Sequence, residues 1–173
     1  DSGNYHYVTK IFTDQIHSPF SLIVFDHHTD MQQPLMEGMM SCGDWAGMVL
    51  DQNPVLQQFI LIGPAEDDIR QIRTEHPDKL ITFSAEEIRK GEGEERLKQL
   101  QGGVPLYISI DKDVLDERYC ETNWNQGKMP LSLLEHLLTL FLAQKNILGI
   151  DICGECQQGI PLPEYMEAEE KNA

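Results

Sequence analysis

Two short stretches hold the residue types best suited to chemistry. Asp26-His27-His28-Thr29-Asp30 sets carboxylates and an imidazole at alternate positions, and Asp111-Lys112-Asp113-Val114-Leu115-Asp116 does the same with two carboxylates. On an extended segment side chains repeat every second residue, so Asp26, His28 and Asp30 would share one side, as would Asp111 and Asp113. Carboxylate and imidazole donors without a thiolate suit Mn2+ or a similar hard-to-borderline cation. A solvated loop is the ordinary place for an Asp. Here, however, two clusters of the same parity each follow an apolar run, and ligands of open α/β sheets bind beyond the carboxyl ends of strands. That placement points to a site.

The elements that must position these clusters are legible in the apolar pattern. Runs at 21–25, 58–62, 80–83, 104–110 and 147–152 read as strands, and continuous apolar runs are expected of strands buried on both faces. Tyr7, Val8, Ile11, Phe12 and Ile16 recur at helical spacing ahead of Ser18-Pro19. Ile69 and Ile72 space a short helix that stops before Pro77. Ser84-Ala85-Glu86-Glu87 forms a capping box, and Pro130 suits the first turn of a long helix through Ala143. Strands alternating with helices predict one α/β domain over residues 1–173, a parallel sheet with helices on both faces. The tail from about residue 158 is expected to be loosely ordered.

Composition narrows the partners. With 13 Lys plus Arg against 29 Asp plus Glu, the formal charge is -16. Such a chain repels phosphate backbones and anionic lipid, which excludes nucleic acid and membrane surfaces as expected partners. The acidic tail, 164–170, reads as a solubility feature. No apolar run is long enough for a membrane span, and the first residues lack the basic and apolar regions of a signal peptide. A cytoplasmic protein is expected, with Cys42, Cys120, Cys153 and Cys156 as reduced thiols in packing roles. The lone C-x-x-C of Cys153 and Cys156 is a weak sign of zinc.

Beyond these readings, the sequence resembles the ureohydrolases: arginase, agmatinase and formimidoylglutamase. Their D-A-H-x-D motif matches 26–30, their S-x-D-x-D-x-x-D matches 109–116, and their G-x-D-I matches 149–152. Their G-G-D-H-S turn is similar to Gly3-Asn4-Tyr5-His6-Tyr7, and order and rough spacing agree from His6 to about Ile152. The resemblance implies an arginase/deacetylase-like α/β sheet, shortened at its N-terminal side, because the family's strands before the first motif have no counterpart here. It implies two Mn2+ ions held by His6, Asp26, His28, Asp30, Asp111 and Asp113, with Asp26 and Asp113 or their neighbours bridging. Charge counting agrees with this, since four carboxylates balance two divalent cations. The implied activity is hydrolysis of a linear C–N bond (guanidino, formimino or amidino) in a small molecule, by water activated between the ions. A homo-oligomer is expected.

The sequence departs from the family at two catalytic positions. Arginases carry G-N-x-H-G with a proton-shuttling His, where this chain has Gly43-Asp44-Trp45-Ala46-Gly47. The family's guanidinium-binding Glu falls on Gly154, with Glu155 one residue later, which a regular strand would turn to the other face. His27 and Glu155 are therefore the candidate catalytic groups. Asp116 looks like a loop-fixing group, and Trp45 either walls the pocket or packs in the core. Two further readings remain open: a deacetylase-like amidohydrolase with one metal, and a catalytically inactive metal-binding member of the same fold.

Overall fold

The apolar runs form a parallel sheet. The computed structural model describes residues 2–34, 36, 38–100, 103–143, 146–156 and 161–173. Among them, strands β1 (Phe20–Phe25), β2 (Leu56–Ile62), β3 (Leu80–Phe83), β4 (Leu106–Asp111) and β5 (Ile147–Cys153) pair in the order β3-β2-β1-β4-β5, every pair parallel. The helices are α1 (Val8–Thr13), α2 (Trp45–Gln52), α3 (Glu66–Ile69), α4 (Ala85–Arg89), α5 (Glu94–Gln99), α6 (Leu131–Leu142) and α7 (Leu162–Asn172). No helix among the described residues is long and apolar enough to cross a membrane.

Helices cover both faces of the sheet. On one, Ile23, Phe25, Ile60, Ile108 and Ile110 pack with Ile88 of α4, Leu97 of α5, and Leu134, Leu137 and Phe141 of α6. On the other, Leu22, Val24, Phe59, Leu61 and Tyr107 pack with Trp45, Val49 and Leu50 of α2. All six residues of β1 and of β4 are buried, as central strands require. Edge strand β5 is different: Leu148, Ile150 and Ile152 are exposed.

Local signals explain the element ends. The Ser84 hydroxyl accepts the Glu87 N–H and so caps α4. Pro130 precedes α6 as its N-cap residue. Helix α1 departs from its apolar pattern, since Ile11 and Phe12 are about half exposed whereas Thr9 and Thr13 are buried. Hydrogen bonds outweigh the stripe here. The Thr9 hydroxyl bonds Ser109 and Asp151, and the Thr13 hydroxyl bonds the Thr9 carbonyl.

The described part of the tail is helical. Residues 157–160, where looseness was expected to begin, lie outside the described residues, but α7 follows with Ala168 buried. Asn172 at its end exchanges two hydrogen bonds with the Glu121 backbone.

Candidate metal centre

The sheet register brings the acidic clusters together. Phe25 pairs with Ile110 across the central strands, so Asp26 and Asp111 emerge side by side at the carboxyl end of the sheet. Beyond that point neither motif stays extended. The chain bends at His27 and His28, and Asp30 takes φ 50°, a left-handed conformation that Asp tolerates better than most residues. Asp111 caps the short 3-10 turn Lys112–Val114, its Oδ1 accepting the Asp113 N–H at 3.0 Å. The six residues expected as ligands do converge, though through turns and not through a strand's period of two.

They form two groups that share Asp26. In the inner group, His6 Nδ1 lies 3.1 Å from Asp26 Oδ2, 3.2 Å from Asp30 Oδ2 and 3.6 Å from Asp111 Oδ2. This nitrogen is buried and has no hydrogen-bond partner. The opposite nitrogen, Nε2, sits 2.9 Å from Ser109 Oγ, which itself donates to Asp151 Oδ1. An imidazole fixed through one nitrogen, with the other left facing three carboxylate oxygens, is arranged as metal-ligating histidines are. Trp45 completes the inner wall. Its ring lies 4.6 Å from that of His6, and its Nε1 donates to Asp30 Oδ2 at 2.7 Å. Trp45 therefore belongs to the core and the site at once.

In the outer group, His28 Nδ1 is 2.8 Å from Asp113 Oδ2 and 3.6 Å from Asp26 Oδ1. Backbone amides steady the carboxylates: His28 N donates to Asp26 Oδ1 and His27 N to Asp113 Oδ1. Asp26 alone reaches both histidines, one oxygen toward each. Asp113 groups with Asp26 and His28, whereas Asp111 groups with His6. Of the carboxylates expected to bridge, Asp26 and Asp113 or their neighbours, Asp26 is the one whose two oxygens face the two histidines.

Electrostatics marks the cluster as one that needs cations. Burial holds the Asp26 carboxyl well above its ordinary range, and the charges of Asp30 and Asp113 add to this. Burial and the neighbouring Asp113 push Asp111 up to about 6. For His6 burial works downward, yet the carboxylates of Asp26 and Asp30 outweigh it and raise its pKa. Bonding to Asp113 and Asp26 lifts His28 to about 11. These shifts share one direction, toward binding protons where positive charge is lacking. Two divalent cations would neutralise the four carboxylates and release those protons, so the residues fit a binuclear centre.

The cluster opens into a cleft of about 280 Å³ lined by His28, Gln32, Cys42 and Trp124 among others. A neighbouring cavity of about 420 Å³ shares His28, Asp30 and Gln32 with it and adds Asp68, Gln71 and Arg73.

Neither candidate catalytic group lines the cleft. The ring of His27 faces a separate cavity beside Gly127 and Val114, where burial and then His28 depress its pKa. Glu155 Oε1 accepts from Lys112 Nζ at 2.6 Å, and the same Nζ donates to the Asn172 carbonyl. Gly154, at φ 99°, turns the chain between Cys153 and Glu155, and a Cβ there would collide with Asp111 and Lys112. Ala46 is fully buried at the start of α2, its N–H donating to the Asp30 carbonyl. Asp116 pairs with Arg118. Sequence reasoning missed Ser109, Thr9 and Asp151, which anchor His6. Ser109 and Asp151 carried a signal as members of the matched motifs 109–116 and 149–152, whereas Thr9 carried none.

Comparison with known proteins bears on the family and the fold. A sequence model of the Arginase family matches residues 6–154. A protein of Thermotoga maritima, described as uncharacterized, is 29% identical over 153 residues, 88% of this chain and 55% of that protein. Among solved structures, the agmatine ureohydrolase of Thermoplasma volcanium superposes with a TM-score of 0.71 at 16% identity, over 96% of this chain and 60% of that one. Formiminoglutamase of Trypanosoma cruzi, solved with Mn2+, gives 0.70 at 14% identity, over 89% and 55%. The chain thus spans little more than half the length of these relatives.

Proposed function

The chain belongs to the arginase family, and from that premise we propose that it is a hydrolase holding two divalent cations, Mn2+ foremost, that cleaves a linear C–N bond in a small guanidino, formimino or amidino compound. One observation carries the reading. His6 Nδ1 is buried without a hydrogen-bond partner and faces three carboxylate oxygens at 3.1–3.6 Å, and a second imidazole and carboxylate adjoin through Asp26. Once bound, the ion pair would supply Lewis-acid polarisation and a lowered water pKa.

The chain's own residues supply position and exclusion. Ser109 and Asp151 fix the His6 ring, Trp45 aims Asp30, and backbone amides aim Asp26 and Asp113. Gln32 and Trp124 border the space a reacting carbon would occupy, and the adjoining cavity with Asp68, Gln71 and Arg73 would seat the polar remainder of the substrate. With Ala46 buried and Glu155 held by Lys112, no side chain at those two positions moves a proton in the cleft. The favoured substrate therefore has a leaving group that needs little proton assistance.

The same two residues support a second reading, a metal-binding member without turnover. Elemental analysis after equilibration with Mn2+, followed by a substrate panel of arginine, agmatine and formiminoglutamate, separates the readings. Two ions with turnover of any panel member supports the hydrolase. Two ions and no turnover leaves the inactive member, and one ion or none removes the binuclear centre.

A further inference from the structure

The ligand cluster contains a thiol that the expectation of a purely oxygen and nitrogen site passes over. Asp111 and Cys153 are ladder partners across β4 and β5, so their side chains leave the sheet side by side on one face. Asp26 stands next to Asp111 on the other flank, and the three residues make a row across the ends of β1, β4 and β5. Cys153 Sγ donates to Asp111 Oδ2 at 3.2 Å, the same oxygen that faces His6 Nδ1. Donor atoms of His6, Asp111 and Cys153 all lie within 4.8 Å of one another, and all three residues are buried.

The other cysteines stand apart from this triad. Cys156, the second member of the C-x-x-C, turns its Sγ to the Glu121 carbonyl, and Cys120 turns its Sγ to the Lys112 carbonyl. Cys42 borders the cleft and belongs to neither donor group. The C-x-x-C is therefore not a paired ligand motif; it contributes one sulfur, and β5 carries that sulfur to the inner position.

We propose that Cys153 is a metal ligand of the inner position, joining His6 and the carboxylates there, and that this position takes a borderline ion such as Zn2+, Co2+ or Fe2+. The outer position, with His28, Asp26 and Asp113, keeps the donor set suited to Mn2+. The inference rests on the reading of the cluster as a metal centre and replaces Mn2+ at the inner position only. Soft thiolate donors select ions by type, whereas carboxylate and imidazole sets discriminate among them weakly. On coordination the Cys153 S–H bond breaks, its proton passes to solvent, and the sulfur lone pair forms the bond to the ion. The hydrogen bond now made to Asp111 is given up, and the freed carboxylate oxygen turns to the same cation.

Cobalt(II) gives the test, because its visible bands report binding of any kind and a near-ultraviolet sulfur-to-cobalt charge-transfer band reports thiolate alone. The reduced protein, loaded with Co2+ and counted by elemental analysis, should show the charge-transfer band. Cys153→Ser should lose it, while Cys42→Ser and Cys156→Ser keep it. Competition between Zn2+ and Mn2+ should shift toward Mn2+ in Cys153→Ser by on the order of 10- to 100-fold. X-ray absorption of the zinc-loaded wild type needs no variant and should show a sulfur neighbour at about 2.3 Å. Two cobalt ions without the band, or a band that survives Cys153→Ser, overturns this inference and leaves the hydrolase reading standing. No bound cobalt at all overturns both.

Discussion

His6 and His28 are the two histidines expected as ligands from the sequence, yet the fold treats them in opposite ways. His6 is 2% exposed, sealed by Trp45 and anchored through Ser109. The His28 side chain is 36% exposed and looks into the cleft. The inner position is built before any ion arrives, because its histidine and Asp30 are already oriented by core residues. The outer position keeps an open side, which the proposed hydrolase would need. The lesson is that two histidines of the same type serve different purposes when burial sets one into the core and leaves the other open to the cleft.

The largest effect should come from Asp26, the carboxylate common to both halves. Asp26→Asn is expected to reduce bound metal from two ions to none, whereas Asp113→Asn loses the outer ion alone. Elemental analysis reads both variants. Two ions retained in Asp26→Asn would break the picture of two groups joined at one residue.

Next in size is the stabilisation that metal confers. Ions that bind only the folded state add about 2.7 kcal/mol at a hundredfold excess over Kd, so EDTA should lower the melting temperature by several degrees. The pH dependence follows from the raised groups. Asp111 and His28 hold protons more tightly folded than unfolded, so their contribution to the metal-free fold is full below the unfolded pKa. It is lost as pH rises, up to about 6 for Asp111 and about 11 for His28. Ions compete with those same protons. The melting difference between loaded and chelated protein should therefore widen from about pH 6 to about pH 8. A difference that narrows over that range would mean the carboxylates do not share the ions.

A smaller effect is expected at Ala46, behind the inner position. A histidine there would restore the family's residue type, but the site is fully buried against α2 and the Asp30 loop. Ala46→His should cost about 1–3 kcal/mol through overpacking and bring no gain in turnover. Raised turnover of a guanidino substrate in that variant would show that the inner wall yields more readily than its packing suggests.

The smallest effect is expected at Glu155, outside both halves. Glu155→Gln removes a partly exposed ion pair with Lys112, worth at most about 1 kcal/mol, and should leave metal content and turnover unchanged. A large loss of turnover would place Glu155 in the chemistry after all.

Much of this molecule was readable along the chain. All five strands lie where apolar runs put them, within a few residues at their ends, and the acidic clusters follow β1 and β4 as read. Those features depend on neighbours close in sequence: β-rich composition, burial on both faces, and the change to polar residues where a strand ends. The capping box at Ser84 is local in the same sense.

What only the tertiary structure decided depends on residues far apart in the chain. Asp111 meets Cys153 because β4 and β5 pair in one register, and a shift of one residue would send the sulfur to the other face. Thr9, Ser109 and Asp151 form one hydrogen-bonded anchor from three elements, a role that none of them declares along the chain. Glu155 turns to Lys112 because Gly154 takes a left-handed φ that no spacing rule contains. Ligand types and strand positions can be read along the chain, since residue type, period and apolar runs are properties of a segment. Which atoms face one another is a property of the packed sheet, fixed when long-range pairing and side-chain burial are satisfied together.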